Sequence, residues 1–166
     1  YPKQFLDLSG KGSLFLQTLN RCINFEAEIQ TPIVVSNEDH RFIIAQQIKE
    51  SSIENADIIL EPSGKNTAPA ITLAAMHLER VAQQDCLMLI MPADHIIQPQ
   101  EEFLTCINSS IEEAALGSVC TFGILPTKPH TGYGYIEAET ADLSLGINTV
   151  NSFIEKPDLA KANKFI

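Results

Sequence analysis

Hydrophobic positions in this chain change their spacing several times, and each change marks an element. Leu14, Leu16, Leu19, Cys22 and Ile23 recur at helical spacing after the turn-rich stretch Leu8-Ser9-Gly10-Lys11-Gly12. Thr31-Pro32-Ile33-Val34-Val35-Ser36 is a short β-branched run and predicts a strand. Asn37 or Asp39 then stands where a cap belongs, ahead of a helix carrying Phe42, Ile43, Ala45, Gln46 and Ile48. Residues 56–60 predict a second strand. Residues 67–84 predict a long helix with Ile71, Ala74, Ala75, Leu78, Val81 and Ala82 on one face. Residues 85–91 predict a third strand and residues 101–116 another helix. Beyond Val119 the rhythm changes: 119–125, 134–138 and 150–154 read as strands without full helices between them, and 158–166 as a helix that stops in mid-pattern.

The strands before Gly117 are continuous apolar runs rather than alternating ones. That pattern belongs to strands covered on both faces by crossover helices. It predicts an α/β protein with three layers, a mostly parallel central sheet and a more irregular C-terminal part. With 166 residues, 45% of them hydrophobic and 19% charged, the chain has room for one core and reads as a single domain over 1–166. Eleven Lys+Arg against 21 Asp+Glu leave a net charge of −10, which argues against nucleic acid or an anionic membrane surface as a partner. No run approaches the ~18–20 apolar residues of a membrane span. No signal peptide is visible at Tyr1-Pro2-Lys3-Gln4, and the expected location is cytoplasmic. The cysteines, Cys22, Cys86, Cys106 and Cys120, each sit in an apolar pattern without CxxC spacing, and are expected as buried, reduced thiols.

Open α/β sheets bind ligands at the carboxyl ends of their strands. Four polar clusters follow predicted strands: Glu61 to Ala70, Pro92-Ala93-Asp94-His95, Pro126 to Tyr135, and Glu155-Lys156-Pro157. All four are expected on one edge, around one pocket. In the first, Asn66 or Thr67 is placed to cap a helix whose exposed N–H groups suit an anion; an ordinary capped loop is the plain alternative. Asp94 suits Mg²⁺, a hard ion that takes oxygen ligands and substrate phosphates, or else serves as a loop cap. Gly132-Tyr133-Gly134-Tyr135 offers close backbone approach and aromatic walls, or else a bulged hairpin. Glu155 and Lys156 set an acceptor for sugar hydroxyls beside a cation for phosphate, or else a solvated charge pair.

Taken in order, Tyr-Pro-Lys-Gln-Phe-Leu at 1–6, Glu-Pro…Asn-Thr-Ala-Pro-Ala at 61–70, Pro-Ala-Asp-His at 92–95, Thr-Gly-Tyr-Gly-Tyr-Ile at 131–136 and Phe-Ile-Glu-Lys-Pro at 153–157 are more specific than any one of them. Together they closely resemble the mannose-1-phosphate guanylyltransferase family of sugar nucleotidyltransferases, of the bacterial type often fused to a phosphomannose isomerase domain. The resemblance runs over essentially the whole chain. It implies a Rossmann-like fold that makes GDP-mannose and pyrophosphate from GTP and mannose 1-phosphate with Mg²⁺. It further implies Lys3 on the nucleotide phosphates; Glu61, Gly64, Asn66 and Thr67 in the nucleotide-binding segment; Asp94 as a metal ligand; Gly134 against the sugar; Glu155 on sugar hydroxyls; and Lys156 on the sugar phosphate. Lys65 stands where many relatives carry Arg.

The family's glycine-rich loop and first central strand would precede Tyr1, and its second metal-binding aspartate would follow Ile166. The chain is therefore expected to be a fragment, truncated at both ends, with little or no transferase activity of its own. A related transferase with another sugar or base, and a catalytically dead sugar-nucleotide-binding regulator, are the alternatives. A homodimer is left open. A nicotinamide-binding domain is disfavoured because no GxGxxG follows a strand.

Overall fold

A computed structural model describes residues 2–7, 10–21, 25, 29, 31–139 and 146–166. The chain divides into two compact units, Tyr1–Leu104 and Thr105–Ile166.

In the first unit, strands β1 (Ile33–Asn37) and β2 (Asp57–Glu61) pair in parallel, from Ile33↔Asp57 to Asn37↔Glu61. Parallel neighbours need a crossover, and helix α2 (Arg41–Glu50) supplies it. The Asn37 side chain caps the 3₁₀ turn leading into α2, accepting from the Asp39 N–H at 2.8 Å. Helix α1 (Leu14–Asn20) starts at Ser13, whose hydroxyl accepts from the Leu16 N–H. Phe5, Phe15, Ile44 and Ile48 form the buried core, with Leu19, Val34, Ile43, Ala56 and Ala93 packed against it. The Phe5 and Phe15 rings meet edge-on at 5.6 Å. Two polar side chains buried beside it, Ser13 and Gln47, are paired. Ser13 Oγ donates to Gln47 Oε1 (2.7 Å), and Gln47 Nε2 donates to the Phe5 carbonyl (3.1 Å). Helix α3 (Thr67–Val81) packs on β1, and His77 on it lies 2.6 Å from Asp57 at the start of β2.

Helix α4 (Gln100–Ala115) carries the boundary between the units. In the second unit, β3 (Tyr135–Ala138) and β4 (Val150–Ile154) pair antiparallel, with a register shift at Glu137/Ala138. The short helix α5 (Leu159–Ala162) is capped by Asp158, which accepts from the Lys161 N–H at 2.8 Å.

The α/β class expected from the pattern is the class observed, with its parallel strands joined through a helix. Several expectations need correction. Residues 85–91 and 119–125 are not strands. Their apolar runs satisfy what a pleated surface wants from side chains, but a strand also needs a neighbouring edge to bond to. Leu87, Leu89 and Ile90 are exposed, and Val119 and Ile124 almost fully so. Strand β2 is not covered on both faces: its burial alternates, leaving Ile58 and Leu60 exposed. The helix expected over 158–166 is one turn long. Cys86 and Cys106 are exposed free thiols and Cys120 is half-buried, because the apolar stretches around them are themselves largely uncovered. Cys22 and Ile23 lie outside the described residues.

Candidate functional site

The predicted site residues fall into two groups, one in each unit. Lys3, Glu61, Gly64, Asn66, Thr67 and Asp94 belong to the first, and Gly134, Glu155 and Lys156 to the second.

Lys3 opens a single 3₁₀ turn, Lys3–Phe5, that ends in the core residue Phe5. Asp94 sits one residue past Ala93, which packs against the same core. Both side chains are therefore carried on backbone tethered to one hydrophobic cluster. Lys3 Nζ lies 3.0 Å from Asp94 Oδ2, and His95 Nε2 lies 3.7 Å from Asp94 Oδ1. The hydrogen bond from Lys3 holds the Asp94 carboxyl below its ordinary range. Burial opposes this, while the charges of Lys3 and His95 and the residue's own N–H reinforce it. Asp94 is thus an anion at neutral pH, with a cation beside it that a phosphate could also engage.

The sign of the linkage follows from the lowered pKa. The pair stabilises the fold above the unfolded carboxyl pKa of about 3.9 and loses that contribution as pH falls through the folded value. Both side chains are partly exposed, so the contribution is of surface ion-pair order, about 1 kcal/mol or less. Lys3→Met is expected to return the Asp94 pKa toward its ordinary value, followed by a carboxyl ¹³C NMR titration.

Glu61 closes β2 at the sheet's carboxyl edge, beside Asn37. Beyond it, Glu61, Ser63, Lys65, Ala68 and Thr72 help line an open groove of about 600 Å³ against the start of α3. Asn66 occupies the N-cap position of α3 but makes no capping bond, with φ 68° and ψ −171°. That backbone region is almost reserved for glycine, and such strain clusters at ligand sites. The uncapped first turn leaves N–H donors at the groove.

In the second unit the hairpin brings separate motifs together. Tyr135 pairs with Ile154, and beyond that pair the Lys156 N–H donates to the Tyr133 carbonyl at 3.2 Å. Gly134 therefore lies at the same end as Glu155 and Lys156. Lys156 Nζ is 3.2 Å from Glu155 Oε1, and Lys156 has φ 42°. The Tyr135 hydroxyl donates to the His130 carbonyl at 3.0 Å, and the His130 and Tyr133 rings meet edge-on. The close approach at Gly134 is made by the Phe153 ring, into which a Cβ at this position would run. Gly134→Ala is expected to cost about 1–3 kcal/mol through overpacking, read from the urea midpoint, with Phe153→Leu recovering part of it.

Among the described residues no group of three or more His, Cys, Asp or Glu could hold a metal ion. Asp94 is a single ionised carboxylate. It fits the way Mg²⁺ is commonly held, by one or two carboxylates together with substrate phosphates, and not an all-protein cage. Sequence reasoning missed Arg21, which is buried and donates through Nη2 to the His95 carbonyl at 2.9 Å. An arginine at a helix end gives no sign in sequence of what it reaches.

This fold and these motifs define a class: the chain belongs to the nucleotidyl transferase family, whose model matches residues 1–166. Among curated proteins it is 45% identical over 168 residues to the alginate biosynthesis protein AlgA of Pseudomonas aeruginosa, covering all of this chain and 34% of that protein. It is 45% identical over 172 residues to a mannose-1-phosphate guanylyltransferase of Salmonella montevideo, covering all of this chain and 35% of the relative. To the xanthan biosynthesis protein XanB of Xanthomonas campestris it is 43% identical over 166 residues, again all of this chain and 34% of the relative. The chain thus spans about a third of the length of the curated relatives it matches. No solved structure matches it significantly. No described helix is long and apolar enough to cross a membrane.

Proposed function

We propose that this chain is part of a cytoplasmic guanylyltransferase that makes GDP-mannose and pyrophosphate from GTP and mannose 1-phosphate. The observation that carries the reading is the Lys3–Asp94 pair at 3.0 Å. Two residues far apart in sequence, from two family-like motifs, meet as a cation and an ionised carboxylate. The similarity to a relative named mannose-1-phosphate guanylyltransferase supports the choice of sugar and base.

The reaction asks for positioning and charge neutralisation more than for covalent help. A phosphate oxygen of mannose 1-phosphate forms a bond to the α-phosphorus of GTP. The bond from that phosphorus to the bridging oxygen breaks, and pyrophosphate leaves with the electron pair. No general base is required, since a phosphate monoester is largely dianionic near pH 7 with a second pKa of about 6. Lys3 binds the nucleotide phosphates. Glu61, Gly64, Asn66 and Thr67 form the nucleoside side, where the first turn of α3 offers N–H donors. Lys156 orients the sugar phosphate, Glu155 accepts from sugar hydroxyls, and Gly134 makes room for the Phe153 ring beside them. Asp94 would hold Mg²⁺, which when bound supplies charge neutralisation at the phosphates.

The test is a substrate panel on the full-length protein with GTP, ATP, UTP and dTTP against mannose 1-phosphate. GDP-mannose and pyrophosphate are expected in equal amounts from GTP. Preference for another nucleotide or sugar moves the assignment within the family, and binding without turnover makes the protein a regulator. Lys156→Ala is expected to raise KM for mannose 1-phosphate about tenfold or more, as loss of a charge-assisted contact of ~1.5–3 kcal/mol would, with GTP affinity nearly unchanged. Equal losses for both substrates would remove Lys156 from the sugar phosphate.

A further inference from the structure

We propose that Arg21 is a positioning residue for Asp94, holding its loop at the distance from Lys3 that the reaction needs; this rests on the reading of Asp94 given above. Arg21 follows the last residue of α1 and is only 5% exposed. Its Nη2 donates to the His95 carbonyl at 2.9 Å, and its Nη1 lies 4.0 Å from Met91 Sδ. These two contacts bracket Asp94. The guanidinium also sits 5.7 Å from the centre of the Phe103 ring, and the Arg21 carbonyl accepts from Gln100 Nε2 at 2.7 Å. Arg21 therefore grips the segment before Asp94, the residue after it, and the start of α4.

The other end of α1 is tied to Lys3. Ser13, which caps α1, donates to Gln47, and Gln47 donates to the Phe5 carbonyl in the turn that bears Lys3. Helix α1 is thus a strut. One end fixes the backbone of the cation, and the other fixes the backbone of the carboxylate. The planar, forked guanidinium holds several acceptors at set angles, which a single ammonium cannot do. Placement within a fraction of an ångström is what such a site requires.

The test measures equilibrium GTP binding by calorimetry on the full-length protein, with Mg²⁺ and with EDTA. Arg21→Met is expected to cut the Mg²⁺-dependent gain in GTP affinity about tenfold, as loss of a supporting contact to a metal ligand does. Affinity in EDTA should stay within about twofold. Arg21→Lys should recover part of the gain. The double variant Arg21→Met/Asp94→Asn should lose no more than Asp94→Asn alone, because both act through one carboxylate. Equal weakening with and without Mg²⁺, additive losses, an unchanged gain, or failure of both Arg21 variants to fold would each overturn the proposal and leave Arg21 with stability alone. If Asp94→Asn itself keeps the full gain, or the wild type shows none, the reading of Asp94 falls and takes this one with it.

Discussion

Asp94→Asn in the full-length protein is expected to lower kcat/KM for GTP by about 10²- to 10³-fold, the order for one preorganised electrostatic contact at a reacting phosphate. Asparagine keeps the size of the side chain and an oxygen that can accept from Lys3. What it removes is the negative charge that faces the Lys3 ammonium. The far-UV circular dichroism should not change, because the side chain is partly exposed and caps no helix. The loss should fall mainly in the steps that involve the nucleotide, leaving KM for mannose 1-phosphate close to the wild-type value. An unchanged kcat/KM would take Asp94 out of the chemistry and leave the Lys3 pair as a surface contact.

The largest effect on stability is expected from Ile44→Ala. Ile44 is 1% exposed and is the largest fully buried side chain among the described residues. It lies on α2 in the cluster with Phe5, Phe15 and Ile48. Removing three carbons from a packed site loses their transfer energy and leaves a cavity, about 2–5 kcal/mol together. Ile44→Val should cost about 0.5–1.5 kcal/mol. Urea denaturation measures both, with the midpoint shifting at constant slope. Phe5 and Ala93 rest on this cluster, so Ile44→Ala should also weaken GTP binding with no site residue changed. A change within about 0.5 kcal/mol would be surface behaviour and would mean the cluster is not the core that carries the site.

Much of the fold was legible because period alone distinguishes its parts. The β-branched run at Ile33–Val35, the cap at Asn37 and the long apolar face from Ile71 to Val81 each became the element they predicted. The failures share a cause. The runs at 87–91 and 119–125 have the side chains of strands, but a ladder is made by a partner's backbone, which no local pattern reports. The site was legible unevenly. Asp94 and Glu155 stand out as polar residues after apolar runs. Lys3 had no local signal, and only the ordered motifs raised it. Arg21 was invisible because its worth lies in the His95 carbonyl and Met91 sulfur, contacts made across the fold. The cysteines misled because an apolar neighbourhood in sequence is not always a covered one in space.

The tip of the Phe153 ring lies close against the bare backbone of Gly134. Position 134 is therefore not independent under mutation. A lineage that gains a methyl group at 134 must first shrink or turn aside the aromatic opposite, which is itself largely exposed and can change without leaving a cavity. Change at 134 is therefore conditional on change at 153, and the surface at this end of the hairpin can be reshaped there only in that order.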